Sequence, residues 1–493
     1  MTTLHDAPTP GAEAAPSAAA APSRRTRRWI EDWQPEDPTF WEGGGRQVAR
    51  RNLVWSIFAE HIGFSVWFLW SMSTGLLAAV GFGYGAEQLF ILTSVSSGVG
   101  ALLRVPYTFA VPVFGGRNWT VISALLLLIP TIMFVVAVQN PDTPYSVMIL
   151  ISALSGFGGG NFASSMANIN SFYPQSEKGW ALGLNAAGGN IGVAVVQLLL
   201  PIVVGAGGLW GLIKGAETIE LHRIGYLYIA LSVLAAAGAY FFMDNLAHAQ
   251  TRASETATIL KQKDTWTMSF LYIGTFGSFI GYSGAFGLLI KLYFSGTFEG
   301  AFSGYQFAYY AFLGATIGSI CRPFGGRIAD RLGGARVTLV VFVLQALGTL
   351  GVLYAVYQLE PATSPEAVAA NGEVFGLFLA TFLFVFAMTG FGNGSTFKMI
   401  PAIWRTKAAT KDAAGLRRAT LEASAAVGIV SAVGAFGGFV IPMMFAAPWV
   451  GADEKLGAVQ TAFWLFTAYY VACAVVTYVA YLRRGTPMAD ARV

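Results

Sequence analysis

The sequence predicts an all-α polytopic membrane protein, with twelve transmembrane helices in two pseudo-symmetric six-helix halves. Three observations carry that reading: too few charges for a soluble surface, a succession of apolar segments near bilayer length, and an internal repeat at constant offset. Of 493 residues, 55% are hydrophobic and 11% charged, where an ordinary soluble domain carries about 25%. The mean hydropathy is +0.57. Soluble enzymes and nucleic-acid binders are disfavoured at once. Cys321 and Cys473 stand far apart in apolar stretches, and His5, His61, His222 and His248 are scattered. Neither a disulfide framework nor a metal site is expected, and no cofactor.

Residues 1–51 read as a disordered cytoplasmic tail followed by an interfacial linker. Met1–Arg28 is rich in Ala and Pro and ends in Arg24, Arg25, Arg27 and Arg28. Its charges follow the apolar stretch, the reverse of a signal peptide. Trp29–Gly45 is Trp-rich, and indole rings settle at membrane interfaces. Apolar segments then fall at 52–80, 86–112, 119–139, 145–170, 180–205 and 223–243 in the first half, 52–244. A polar stretch over 245–265 separates them from 266–292, 303–326, 336–358, 374–400, 420–445 and 459–482 in the second half, 266–483, with a short cytoplasmic tail at 484–493. Each approaches the ~20 residues that a membrane-crossing helix needs.

With both termini placed in the cytoplasm, the inner loops carry thirteen basic residues and the outer loops four: Lys214, Arg223, Lys291 and Lys455. That asymmetry predicts a multi-pass protein of the cell membrane with cytoplasmic termini. The net charge of +4 is thus an orientation signal and says little about acidic partners.

The repeat is the most informative feature. Phe58-Ala-Glu-His-Ile-Gly63-Phe-Ser65 answers Phe276-Gly-Ser-Phe-Ile-Gly281-Tyr-Ser283, 218 residues on. Gly100, Arg104 and Gly115-Gly116 answer Gly318, Arg322 and Gly333-Gly334 at the same offset, and Gly156–Gly160 answers Gly390–Gly394 at 234. Parallel six-helix repeats are the architecture of major-facilitator transporters. One arginine, Arg104 or Arg322, therefore occupies the same place in each half. Either costs at least ~2.5–3.5 kcal/mol in hydrocarbon unless it meets a cavity, a partner or the interface. Two guanidiniums meeting on the pseudo-two-fold axis would suit a small planar oxyanion, which their forks can bind through bidentate hydrogen bonds.

The motif Ala181-Leu-Gly-Leu-Asn185-Ala-Ala-Gly188-Gly189-Asn190-Ile-Gly192 resembles the signature helix of the nitrate/nitrite porter family, as does Glu422–Gly428 running on to Gly434-Ala-Phe-Gly437-Gly438 and Pro442. Asn161–Ile169 and Gly392–Trp404 are similar to the same family, and the likeness runs through all twelve segments. The resemblance implies the major-facilitator fold and a site for nitrate or nitrite near the membrane centre, clamped by Arg104 and Arg322. It implies hydrogen bonds from Asn190 and Tyr272, and flanking rings from Phe162 and Phe276. The glycines Gly188, Gly189, Gly192, Gly434, Gly437 and Gly438 are read as gating surfaces, where helices shear as one half rocks on the other. Each residue also has a plain structural reading: helix glue for Asn190, packing for the phenylalanines, close helix contact for the glycines.

Glu60-His61 departs from the family pattern, which has almost no titratable group in the pore beyond the arginines. Placed some eight residues into the first segment, the pair is the candidate for proton coupling, or else Glu60 balances a basic group near the inner interface. Nearness to the helix start would favour the ionised carboxylate and leave His61 open as the carrier.

No GxxxxGK[ST] loop is present, so transport would be secondary, by exchange of nitrate for nitrite or by nitrate–proton symport. No nucleophile–base constellation argues for an enzyme. The partners expected are nitrate, nitrite, protons and lipid, with no nucleic acid, acting as a monomer. A facilitator for another small anion such as an organic carboxylate, and a nitrate sensor that does not transport, are the rivals.

Overall fold

The computed structural model describes residues 24–25, 29–205, 219–247, 258–298, 301–304, 306–408, 410, 412–451, 454–485, 487–490 and 493. Most of the tail at 1–28, with Lys214, Arg252 and Lys411, lies outside the described residues.

Among the described residues twelve long helical spans run in sequence. In the first half they are α1 (Arg46–Trp67, continued by Leu69–Leu76), α2 (Ala86–Phe114), α3 (Gly116–Leu126 and Leu128–Ala137), α4 (Tyr145–Ser155 and Phe157–Phe172), α5 (Gln175–Val204) and α6 (His222–Phe242). The second half holds α7 (Lys263–Tyr272 and Ser278–Phe294, joined by a π-helical turn Ile273–Gly277), α8 (Ala311–Leu332), α9 (Gly334–Val356), α10 (Pro365–Thr406), α11 (Ala413–Ala435 and Gly437–Ala446) and α12 (Lys455–Thr477). Eleven are long and apolar enough to cross a membrane. The twelfth is α8, whose Arg322, Arg327, Asp330 and Arg331 lower its hydropathy.

The segment boundaries shift where polar residues help to build a helix. Span one starts at Arg46, not 52, just after a backbone break at Gly44; within it Arg51 pairs with the Asp244 carboxylate, and Asn52 Oδ1 accepts from the Asp244 backbone N–H at 2.8 Å. Span ten starts at Pro365, where Ser364 Oγ caps Ala367 N at 3.2 Å and proline occupies the first turn. Its 42 residues reach about 63 Å at 1.5 Å per residue, well past the hydrocarbon core. Span eight starts at Ala311, not 303, because residues 301–304 pair as a strand with Ser295–Phe298 in an antiparallel hairpin. Span eleven starts at Ala413, behind an Asp412 cap on Gly415 N at 2.9 Å.

The linker at 29–45 docks on the terminal end of the first half. Trp33 Nε1 donates to Phe172 O at 3.2 Å and Trp41 Nε1 to Glu177 Oε1 at 3.1 Å. Trp29–Ile30 pairs in parallel with Asn245–Leu246, which ties this segment to the exit of α6.

Equivalent backbone events mark the two halves. The α2–α3 turn passes through Gly115 at φ +83° and the α8–α9 turn through Gly333 at φ +92°, a left-handed geometry that suits glycine. In the first half a Cβ on Gly156 would come within 2.8 Å of Gly100 N; in the second, a Cβ on Gly390 would come within 2.9 Å of Gly318 C. These glycines answer one another in the sequence repeat, so α2–α4 and α8–α10 cross at the same closely packed point.

Contacts between the halves gather at the end remote from the termini. Gln197 Nε2 of α5 donates to Ser283 O of α7 at 2.7 Å, Phe90 of α2 meets Phe445 of α11 at 5.9 Å between centroids, and Lys455 Nζ pairs with Glu87 at 3.2 Å. Nearer the terminal end, Asn170 Nδ2 reaches Ser424 Oγ across the halves at 3.4 Å.

Candidate functional site

Arg104 and Arg322 each lie ten residues before the end of their helices, α2 and α8, about 15 Å from the terminal end at 1.5 Å per residue. Both are buried, at 0% and 6% exposure. Neither makes an ion pair among the described residues; Asp330, on the same helix as Arg322, is taken by Lys398 at 2.8 Å. Arg104 Nε donates to Gly159 O of α4 at 3.1 Å, and Nη1 donates across the halves to Ser431 O of α11 at 3.1 Å. Nη2 of Arg104 and Nη1 of Arg322 have no partner. Such donors are rare in a folded interior, because an unsatisfied charged donor forfeits its hydration.

Aromatic rings wall the first guanidinium. Arg104 Cζ lies 4.7 Å from the Phe162 centroid and 4.9 Å from that of Phe276, with Trp67 at 5.5 Å and Phe64 at 6.0 Å. Phe162 and Phe276 stack at 6.1 Å and 28°, and Phe276 stacks on Tyr272 at 5.3 Å and 21°. Tyr272 and Phe276 are four residues apart, which puts both rings on one face of α7. Arg322 Cζ faces the Phe397 ring of α10 at 5.6 Å.

Tyr272 adds a neutral polar group to the lining. Tyr272 Oη donates to Asn393 Oδ1 at 2.9 Å, within electrostatic reach of both arginines. Asn190 is buried, and neither its Oδ1 nor its Nδ2 has a partner. The structure thus joins Phe162, Tyr272 and Phe276 around Arg104, sets Arg322 across from them, and leaves the buried Asn190 amide unpaired. Asn393, Ser431 and Trp67 were missed. Asn393 sits inside the Gly392–Trp404 motif, whereas nothing in the sequence marks a backbone carbonyl at Ser431.

The glycines have unequal surroundings. Gly188 faces Ile57, Gly189 the Glu60 side chain, and Gly192 the His61 carbonyl, all on α1 of the same half. Gly434 meets Tyr272 and Gly437 meets Gly277, both within the second half. Gly438 differs in facing both halves: a Cβ there would meet Ile280 Cγ2 of its own half at 2.5 Å and Ser97 Cβ of the other half at 3.0 Å.

Glu60 lies fourteen residues after Arg46, about 21 Å along the helix. The nearness to the helix start expected from the sequence is therefore corrected, and with it the dipole argument, because α1 begins earlier than the apolar run. Nor does Glu60 balance a basic group at the interface. It is 1% exposed and receives hydrogen bonds from Ser165 Oγ and, at 2.7 Å, Asn185 Nδ2. His61 Nδ1 donates to Gly188 O at 3.2 Å.

The architecture is that of a multi-pass membrane protein, and the comparisons make it a transporter and not an enzyme. Residues 61–364 match the sequence profile of the Major Facilitator Superfamily. The nitrate/nitrite transporter NarU of Escherichia coli (strain K12) is 38% identical over 474 residues, covering 94% of this chain and 98% of that protein. The probable nitrate/nitrite antiporter NarK2 of Thermus thermophilus is 33% identical over 467 residues, covering 93% and 97%. Among solved structures, a D-xylose-proton symporter superposes with a TM-score of 0.59 at 15% identity, over 87% of this chain and 96% of that one; this likeness concerns the fold alone. The chain belongs to the nitrate/nitrite porter family of the major facilitator superfamily.

Proposed function

We propose that the protein is a secondary transporter that moves nitrate and nitrite across the cell membrane by alternating access, the anion being clamped between Arg104 and Arg322. The observation that carries this reading is the pair of repeat-related buried guanidiniums, each keeping an N–H without a partner. Two buried positive charges that make no ion pair among the described residues call for an anion. Flat walls of Phe162 and Phe276 favour a planar oxyanion over a tetrahedral one, and Asn190 and Tyr272 supply neutral hydrogen bonds without adding charge. The names of the relatives, nitrate/nitrite transporter and antiporter, support the same substrate.

The excess of basic residues at the terminal end makes that end cytoplasmic. The packed contacts around Gln197, Phe90 and Lys455 then close the outer side, while Asn170 and Ser424 bridge the halves on the cytoplasmic side of the buried arginines. The halves rock as bodies, and Gly438 against Ser97 is a contact that must slide. Coupling is by exchange of nitrate for nitrite or by symport with a proton, for which Glu60 and His61 are the groups available. The protein works as a monomer.

The test is uptake of labelled nitrate and nitrite into proteoliposomes of the purified protein, with and without anion on the far side. Saturable nitrate uptake that nitrite competes for, and that formate or acetate leaves untouched, is expected. Preference for an organic carboxylate would overturn the substrate assignment; nitrate binding without flux would identify a sensor.

A further inference from the structure

We propose that the first half carries a proton site distinct from the anion clamp, formed by the Glu60 carboxyl with Ser165 and Asn185, and that one proton enters it as the anion arrives. The inference rests on the anion reading above and adds the coupling group to it.

The site is built, not incidental. Three helices converge on one carboxyl: α1 supplies Glu60, α4 Ser165 and α5 Asn185. Ser165 Oγ and Asn185 Nδ2 both donate to Oε2, and Asn185 Nδ2 also reaches Ser165 Oγ at 2.9 Å. Oε1 is buried without a partner. A Cβ on Gly189 would come within 2.8 Å of the Glu60 carboxyl carbon, so the absence of a side chain there is what makes room for the group. That gives Gly189 a reason other than sliding.

The charges around Glu60 are few. The α4 stretch Phe157–Phe172 has no titratable residue, and α5 has only Glu177 and Lys178 near its start. On its own helix the neighbour is His61, whose Nδ1–H is spent on the Gly188 carbonyl; that bond clasps α1 to α5 and leaves His61 a positioning role. The charges that act on Glu60 through space are Arg104 and Arg322.

The coupling follows from that arrangement. With the clamp empty, the two guanidinium charges offset part of the cost of burying a carboxylate at Glu60. A monovalent anion between them cancels part of that field, and the carboxylate is then left buried with only two neutral donors. A proton from the aqueous phase adds to the carboxylate, forming an O–H bond with no other bond broken, and is released when the anion leaves. Linkage is reciprocal, so protonation must equally tighten anion binding. One proton with one nitrate makes the transported pair electroneutral. In the other half the repeat places Ser278 at this position, where it accepts from Tyr470 Oη at 2.8 Å in a neutral hydroxyl chain with Tyr282. At this repeat position the first half carries a carboxyl and the second a serine hydroxyl.

The experiment uses full-length protein in sealed proteoliposomes with an internal pH dye. An inward nitrate gradient should acidify the lumen. Glu60→Gln should abolish that acidification at least tenfold while nitrate–nitrite exchange stays within about threefold, and His61→Asn should keep both. A wild type that exchanges anions yet moves no proton overturns the proposal, as does undiminished proton flux in Glu60→Gln. Should Glu60→Gln fail to fold, calorimetric nitrate titration of the wild type in buffers of different ionisation enthalpy decides it: about one proton taken up per nitrate supports the site, and none between pH 5 and 8 overturns it. Absence of any nitrate or nitrite exchange by the wild type would instead sink the anion reading.

Discussion

The two halves share a repeat, yet they use it differently. Arg104 is held by the Gly159 and Ser431 carbonyls and flanked by two stacked phenylalanines, while Arg322 faces Phe397 with its Nη1 free. Phe58 and Phe276 answer one another in sequence. Phe58 packs edge-on against Trp55, 5.8 Å away, whereas the π-helical turn of α7 brings Phe276 into the arginine site. Glu60 is a buried acid; its counterpart Ser278 is a neutral hydroxyl. A duplicated frame thus supplies matching charges, and local departures from symmetry give each half its own task. Each half holds a guanidinium; the first adds the acid and Phe162, and the second adds Phe276 to the wall around Arg104.

The comparison is broken most severely at the arginines. Arg104→Lys and Arg322→Lys should each weaken nitrate binding by ~1.5–3 kcal/mol, the worth of a charge-assisted hydrogen bond. Arg104→Lys should in addition lower the unfolding temperature, since it strips donors from two carbonyls. Equilibrium binding together with a thermal melt separates the two effects. Near-normal nitrate affinity in both variants would remove the clamp.

Next come the glycines, where the same substitution probes a fixed contact and a moving one. Gly188→Leu drives into Ile57 inside one half and should cost about 1–3 kcal/mol of stability by overpacking. Gly438→Leu presses on Ile280 inside its half and also on Ser97 across the halves, and should slow turnover at least tenfold more than it weakens binding. Equal losses of turnover and binding in Gly438→Leu would mean that this glycine shapes the pocket.

Tyr272→Phe is a finer probe. It keeps the stack on Phe276 and removes one hydroxyl, so nitrate affinity should fall by about 0.5–1.5 kcal/mol with unchanged expression and melting. Full affinity would restrict Tyr272 to packing.

The smallest effect belongs to Lys455→Met. Its ion pair with Glu87 is partly exposed and worth about 0.2–1 kcal/mol. Nζ also caps Ala446 O and Ala447 O at the end of α11, at 2.8 and 2.7 Å. Loosening this tie should move the conformational balance slightly toward opening at that end, read as faster labelling of a cysteine placed at Ser97. Unchanged labelling would make the pair ornamental to gating.

The sequence alone determined the frame. Bilayer-length apolar runs require backbone hydrogen bonds to close within each segment, so helices follow from hydropathy. The 218-residue offset assigns Arg104 and Arg322 to equivalent places, because a duplicated helix packs its duplicate neighbours alike. Helix ends were less legible where polar residues carry them, as at Arg46, Pro365 and Ala413. What only the tertiary structure decided is who faces whom. Periodicity reports that Gly188, Gly189 and Gly438 are small, but not that the first two abut Ile57 and Glu60 while the third meets the other half. Nor does it report which of Phe58 and Phe276 reaches an arginine, since one extra residue in a π-helical turn rotates a side chain without changing the composition of its helix. The depth of Glu60 depends likewise on where α1 begins, which follows the backbone break at Gly44 and not the start of the apolar run.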